Sequence, residues 1–224
     1  MDQQESSQLA ALDAFMRQTL AEDETGHDTG HIDRVIQLAE HILQSEPTAD
    51  EFITLAAATL HDTYDDKLFD DVEQAKQRVA NEMTRVGVSE VKQNAIFQII
   101  DNMSWSKQRF GNPEPLDISG QIVQDADRLE AMGMIAVARV IQYGVQAHHI
   151  LYDPAMPPRD LKTKADYRNP AGETMINHFD EKLFLLKDYL NTDEAKRIGT
   201  IRDTAMHQFV DQFKAEWVGE DYQQ

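Results

Sequence analysis

Along most of this chain, apolar residues return every three or four positions, the spacing of one face of an α-helix. Val35, Leu38, Ala39 and Ile42 make one such stripe, and Ile198, Ile201, Ala205, Phe209, Phe213 and Trp217 make another. The alternating β-branched runs between turn pairs that mark strands do not occur in the sequence. The pattern predicts an all-α fold with helices near 8–21, 30–44, 51–62, 70–86, 90–102, 119–143, 173–190 and 193–217, with Gly133 the place for a break in the sixth. Asp28 or Thr29 is placed to cap the second helix by accepting a backbone N–H of its first turn. Ser89 is placed to cap the fifth, and Pro47 lies just past the end of the second, where its ring cannot continue the ladder. Pro154, Pro157, Pro158 and Pro170 fall between Tyr152 and Gly172, which predicts a long surface loop of the kind that carries function. The expected organisation is one domain over 1–224: a core about 20–145, a loop about 146–172, and C-terminal helices about 173–217.

Composition narrows the partners. The chain has 224 residues, 41% of them hydrophobic, enough for a buried core of one full domain. It carries 21 Lys+Arg against 40 Asp+Glu, a formal net charge of −19. That balance argues against a nucleic-acid polymer, whose phosphates draw on clustered Lys and Arg, and against an anionic membrane surface. Cysteine is absent, which removes disulfides, thiolate nucleophiles and Cys-zinc sites together. No run of about 18 apolar residues occurs, and the opening MDQQESSQ has neither the basic nor the apolar region of a signal peptide. The expectation is a cytoplasmic protein that handles any anion at a local site, against its own net field.

Three polar intrusions on apolar faces suggest where that site lies. His31 stands four residues before Val35, on the same helix face. His61-Asp62 closes the run Leu55-Ala56-Ala57-Ala58-Thr59-Leu60. Asp125 and Asp127 sit within the apolar frame of Ile122, Val123, Ala126 and Ile135. Burying such groups is costly unless each is paired or bound to a metal, and a cation is a common sink for all of them. Two imidazoles and two carboxylates form a mixed N/O set that suits Mn²⁺, Fe²⁺, Mg²⁺ or Zn²⁺. Four protein ligands on an octahedral ion leave places for water and a phosphate oxygen. Helical periodicity does not choose between Asp125 and Asp127.

The same residues resemble the H…HD…D signature of the HD-domain phosphohydrolase superfamily. The likeness extends through His27-Asp28-x-x-His31-x-x-Arg34-Val35, Ala56-Ala57-x-x-Leu60-His61-Asp62 and Val123-Gln124-Asp125-Ala126-Asp127-Arg128-Leu129. It reaches Asn177-His178-Phe179-x-Glu181-Lys182-Leu183 and the closing Phe213-x-x-Glu216-Trp217. These strings are similar to one subfamily of small bacterial HD proteins. The resemblance implies an HD-type helical bundle with additional C-terminal helices, and a metal set of His31, His61, Asp62 and Asp127, with Mn²⁺ the first choice of ion. Asp125 is then a supporting carboxylate behind the ligands. It also implies that Asp65 and Asp66 manage the attacking water as catalytic residues. Lys67, Arg34 and Arg128 are the candidates for the phosphates, since a polyphosphate approaching this acidic chain needs local cations. His27-Asp28, a second HD dipeptide between Gly26 and Gly30, reads as a turn or cap. The implied function is hydrolysis of a nucleotide, a nucleoside triphosphate cut to monophosphate and pyrophosphate. Two alternatives stand beside it: hydrolysis of an alarmone-type guanosine pyrophosphate, and a non-catalytic nucleotide-binding helical protein. The partner expected is a small phosphorylated molecule, and a homo-oligomer is open.

Overall fold

The helical pattern is what the chain adopts. A computed structural model describes residues 1–21, 29–66, 68–169 and 171–221, and among these the only β pairing is a single bridge between Ile150 and Thr174. The chain divides into two units, Met1–Asp127 and Arg128–Gln224.

In the first unit, α3 (Glu51–Leu60) is buried almost all round, from Phe52 to Leu60 with only Ile53 partly open. A helix apolar on every side has to lie inside a bundle, and α3 packs against α1 (Gln3–Thr19), α2 (Thr29–Leu43) and α5 (Glu90–Met103). Its start is fixed by Asp50, whose carboxylate accepts the Ile53 N–H at 3.0 Å. Helix α1 begins earlier than its first apolar residue because Asp2 and Glu5 form a reciprocal capping box, which satisfies backbone donors that the stripe does not reveal. Ser89 caps α5 as expected, and α4 (Val72–Arg85) is capped by Asp71. The short α6 (Trp105–Phe110) follows α5 after Ser104, which caps it through the Lys107 N–H. Helix α7 (Ile118–Glu130), most of which belongs to this unit, buries Ile122, Val123 and Ala126 completely. At Gly120 an added Cβ would meet Ile99 at 3.0 Å, so glycine is what lets α7 approach α5 there.

In the second unit, α8 (Gly133–Gln146) starts at a glycine with φ +77°, which is the break that the sequence reading placed at this residue. It packs against the long α11 (Asp193–Val218). Two expectations are corrected here. The predicted helix over 173–190 is instead a short α10 (Asn177–Glu181) and a 3-10 segment (Leu183–Tyr189). Lys182, at φ −141° and ψ −55°, leaves the helical region between them, and the tighter winding stacks Leu183 and Leu186 on one buried edge. The stripe of α11 is also rotated from the one read in the sequence. Ile201 is 61% exposed, whereas Ala195, Gly199, Asp203, Met206 and Val210 face inward. A carboxylate holds a core position because Lys187 neutralises it, with Nζ 2.6 Å from Asp203 Oδ2. The proline-rich loop contains one short helix, α9 (Lys164–Arg168).

Candidate metal centre

All four side chains expected to hold an ion belong to the first unit. His31 is the third residue of α2, 2% exposed, on the face that continues through Ile32, Val35, Ala39 and Ile42. His61 is the C-cap of α3, and Asp62 follows it out of the helix, 4% exposed. Asp127 lies on α7 with about a third of its side chain open to solvent. Three elements far apart in sequence therefore end at one place.

The two imidazoles point their Nε2 atoms at each other across 3.2 Å. His31 Nε2 is 3.5 Å from Asp62 Oδ2 and 3.5 Å from Asp127 Oδ1. His61 Nε2 is 3.5 Å from Asp62 Oδ1 and 3.8 Å from Asp127 Oδ1. One ligand atom each from His31, His61 and Asp127 lies within 4.8 Å of the others, so this group can hold a metal ion. Two donor atoms that share one ion at about 2.1 Å stand about 3.0–3.4 Å apart for right-angled to tetrahedral arrangements. The imidazole pair falls inside that range, and the carboxylates need a shift of a few tenths of an ångström.

One ring is oriented by the backbone. His61 Nδ1 is 2.8 Å from the carbonyl oxygen of Ala58. A carbonyl only accepts, so Nδ1 carries the proton, and the neutral ring presents a lone pair at Nε2. This is the arrangement by which an outer carbonyl fixes the tautomer of a metal-binding histidine. Burial pulls the His61 pKa down and is the largest single cause. Asp62, Asp127, the Ala58 carbonyl and Asp65 together outweigh it, and the ring titrates above its ordinary value.

The other expected site residues take varied places. Asp125 is fully buried; two residues from Asp127 on a helix, it faces almost the opposite way. Asp65 is half-buried and Asp66 exposed, on the turn after α3, where the Asp65 N–H meets the Asp62 carbonyl at 3.4 Å. Arg34 is half-buried on α2. Arg128 is 3% exposed, and its guanidinium donates to the Tyr189 carbonyl and lies 6.0 Å from the Tyr189 ring centre. Lys67 and His27-Asp28 lie outside the described residues. Two partners of this site had no signal in the sequence. The Ala58 carbonyl is backbone, silent in residue type. Tyr64 donates its hydroxyl to Asp101 Oδ1 at 3.2 Å, a pairing across 37 positions that a single sequence does not announce.

Similarity to other proteins agrees with this geometry. The family model described as HD domain matches residues 29–132, a span that includes His31, His61, Asp62 and Asp127. The chain is 33% identical over 217 residues to YpgQ of Bacillus subtilis, covering 97% of each protein. A solved structure from Lactobacillus plantarum is 43% identical, with a TM-score of 0.85 over 95% of this chain and 98% of that one. A structure described as an HD-superfamily hydrolase, from Bacillus thuringiensis, is 34% identical, with a TM-score of 0.74 over 95% of this chain and 98% of that one. YpgQ in complex with ADP superimposes at a TM-score of 0.76, with 31% identity over 95% of this chain and 96% of that one. With this kinship along nearly its whole length, the chain belongs to the HD-domain superfamily of metal-dependent phosphohydrolases.

Proposed function

We propose that this protein hydrolyses nucleoside triphosphates to monophosphate and pyrophosphate, with a divalent ion, Mn²⁺ first, held by His31, His61, Asp62 and Asp127. The observation that carries the reading is the convergence of two imidazole nitrogens 3.2 Å apart with carboxylate oxygens 3.5–3.8 Å from them. Support for a nucleotide comes from the related YpgQ, whose structure was solved in complex with ADP. A divalent ion held at this place supplies positive charge to phosphoryl oxygens and acidity to a neighbouring water.

The chain's own residues supply the rest. The Ala58 carbonyl keeps the His61 proton on Nδ1 and its lone pair toward the site. Asp65, three residues beyond Asp62, holds the attacking water and receives its proton, and Asp66 beside it completes an acidic edge. Arg34 and Lys67 are the cations we assign to the phosphates. Arg128, which donates to the Tyr189 carbonyl through one nitrogen, is a further candidate for the phosphates. To Asp125, fully buried on α7, we assign a supporting role for the ligands.

Product analysis tests the reading directly. Purified protein with Mn²⁺ and a panel of ribo- and deoxyribonucleoside triphosphates is expected to release pyrophosphate and the monophosphate, and chelator is expected to stop it. Diphosphate plus orthophosphate would overturn the choice of bond. Nucleotide binding without any release would favour a sensor over an enzyme.

A further inference from the structure

Asp65 and Asp66 stand beyond the end of α3, outside any helix, so something else must set where they stand. The chain is fastened on both sides of the acidic pair. Beyond the pair, Leu68 and Phe69 pack on the buried cluster of Met16, Leu20 and Ile32. Before it, Tyr64 is 6% exposed and sets its ring edge-on to Phe97, with ring centres 5.9 Å apart.

The Tyr64 hydroxyl ends on Asp101, near the C-terminus of α5. Asp101 in turn is a junction. Lys76 of α4 places Nζ 2.5 Å from Asp101 Oδ2 and lies over both the Tyr64 and Phe97 rings, 5.5 and 5.0 Å from their centres. Lys107 of α6 donates to the Asp101 backbone carbonyl at 2.8 Å. Three helices thus meet on one residue whose side chain reaches across 37 positions to the turn behind Asp62. An ammonium-neutralised carboxylate makes a strong, oriented acceptor, and a buried phenol is costly without one.

We propose that Asp101 is a positioning residue: through Tyr64, and with Lys76 holding it in place, it fixes the turn that presents Asp65 to the reacting phosphate. The proposal rests on the phosphohydrolase reading above. In this proposal the effect of Asp101 on Asp65 runs through the Tyr64 hydroxyl. A displacement of about 1 Å in a reacting group can cost on the order of 100-fold in rate, so loosening one of the two fastenings should be visible in turnover.

The test uses Tyr64→Phe, Asp101→Ala, Asp101→Asn and the Tyr64→Phe/Asp101→Ala double variant, with Mn²⁺ and dATP. Each of the first two is expected to lower kcat about tenfold with KM within about twofold, while Mn²⁺ affinity by calorimetry and the helical circular dichroism stay at wild-type values. The double variant should be no slower than either single one, the signature of two groups acting through one contact. Asp101→Asn keeps an acceptor oxygen and should recover much of the rate. Additive losses, an unchanged kcat in Tyr64→Phe, or a loss confined to thermal stability would overturn the proposal. Hydrogen–deuterium exchange is read in parallel, and Asp101→Ala should speed exchange across residues 63–69 while leaving α3 unaffected. Should the wild type release nothing from any triphosphate of the panel above, the catalytic reading fails, and unchanged exchange would separately sink the positioning role.

Discussion

In the second unit, Arg159 meets the fully buried carboxylate of Glu181 through its backbone N–H, Nε and Nη2, at distances of 2.5–3.1 Å. Glu173 stands 3.4 Å from the same guanidinium and within 3.6–3.9 Å of the rings of His178 and His149. In the first unit, the groups gathered together are two imidazoles and two carboxylates. Both clusters mix histidine with acid, and both sit on elements that bury apolar neighbours. The difference is the cation. Arginine closes the second cluster from within the chain, donating where the carboxylates accept. The first brings together groups that accept or offer lone pairs, and its geometry suits an ion supplied from outside. A histidine-acid cluster is therefore read by what neutralises it, and the two clusters should respond oppositely to metal and to mutation.

The largest expected effect breaks the first cluster alone. Asp62→Ala and His61→Ala should each weaken Mn²⁺ binding by more than about 100-fold, the upper end of what loss of an outer partner costs. Turnover should fall at least as far, while the helical circular dichroism signal persists. Glu181→Ala is the mirror experiment. It removes the buried carboxylate that takes most of the hydrogen bonds of the half-buried Arg159, leaving Glu173 beside the guanidinium, and should cost about 3 kcal/mol of stability in urea denaturation, with Mn²⁺ affinity measured by calorimetry unchanged. If Glu181→Ala also removed metal binding, the distinction between the clusters would be wrong.

How much of this was visible in the sequence follows the same division. His31, His61 and Asp62 stood out because each interrupts an apolar run, and interruptions in a periodic pattern survive in a single sequence. Asp125 and Asp127 did not separate, since both lie on α7 and only packing decides which face meets the imidazoles; the structure buries Asp125 completely and leaves Asp127 beside them. Arg159–Glu181 and Arg128–Tyr189 were not legible, because partners 22 and 61 residues apart share no spacing rule. Asp203 is the instructive error. Its carboxylate occupies a core stripe by virtue of Lys187, and reading α11 by apolar residues alone turned the helix toward Ile201.

Metal addition should sharpen the contrast with a slightly smaller effect. An ion that binds only the folded protein stabilises it by about 2.7 kcal/mol at one hundred times its dissociation constant. That increment should appear in the wild type and persist in Glu181→Ala, because sites that share no partner add. It should vanish in Asp62→Ala. Thermal denaturation with and without Mn²⁺, across the three proteins, checks all of these statements at once.

The smallest effect is in pH, and its sign differs between the clusters. Burial of the His178 ring is the largest influence on its pKa; Glu173 opposes it, Lys182 adds to it, and the net direction is down. A histidine with a depressed folded pKa contributes stability that is complete above its unfolded value near 6.5 and is lost as pH falls toward the folded one. Glu173, also held below its ordinary value, adds a further loss at lower pH, below about 4.5. His61 in the metal-free protein moves the other way: its raised pKa gives stability that is complete below about 6.5 and disappears as pH rises through the folded value. Following the ring Cε1–H signals of the metal-free protein by NMR should therefore show His178 titrating below, and His61 above, the ordinary histidine value near 6.5. Adding Mn²⁺ should broaden the His61 and His31 signals, since Mn²⁺ is paramagnetic and these rings face the site. His178 and His61 moving in the same direction would mean that the carboxylates around His61 fail to outweigh its burial, and the electrostatic half of the contrast would fall with them.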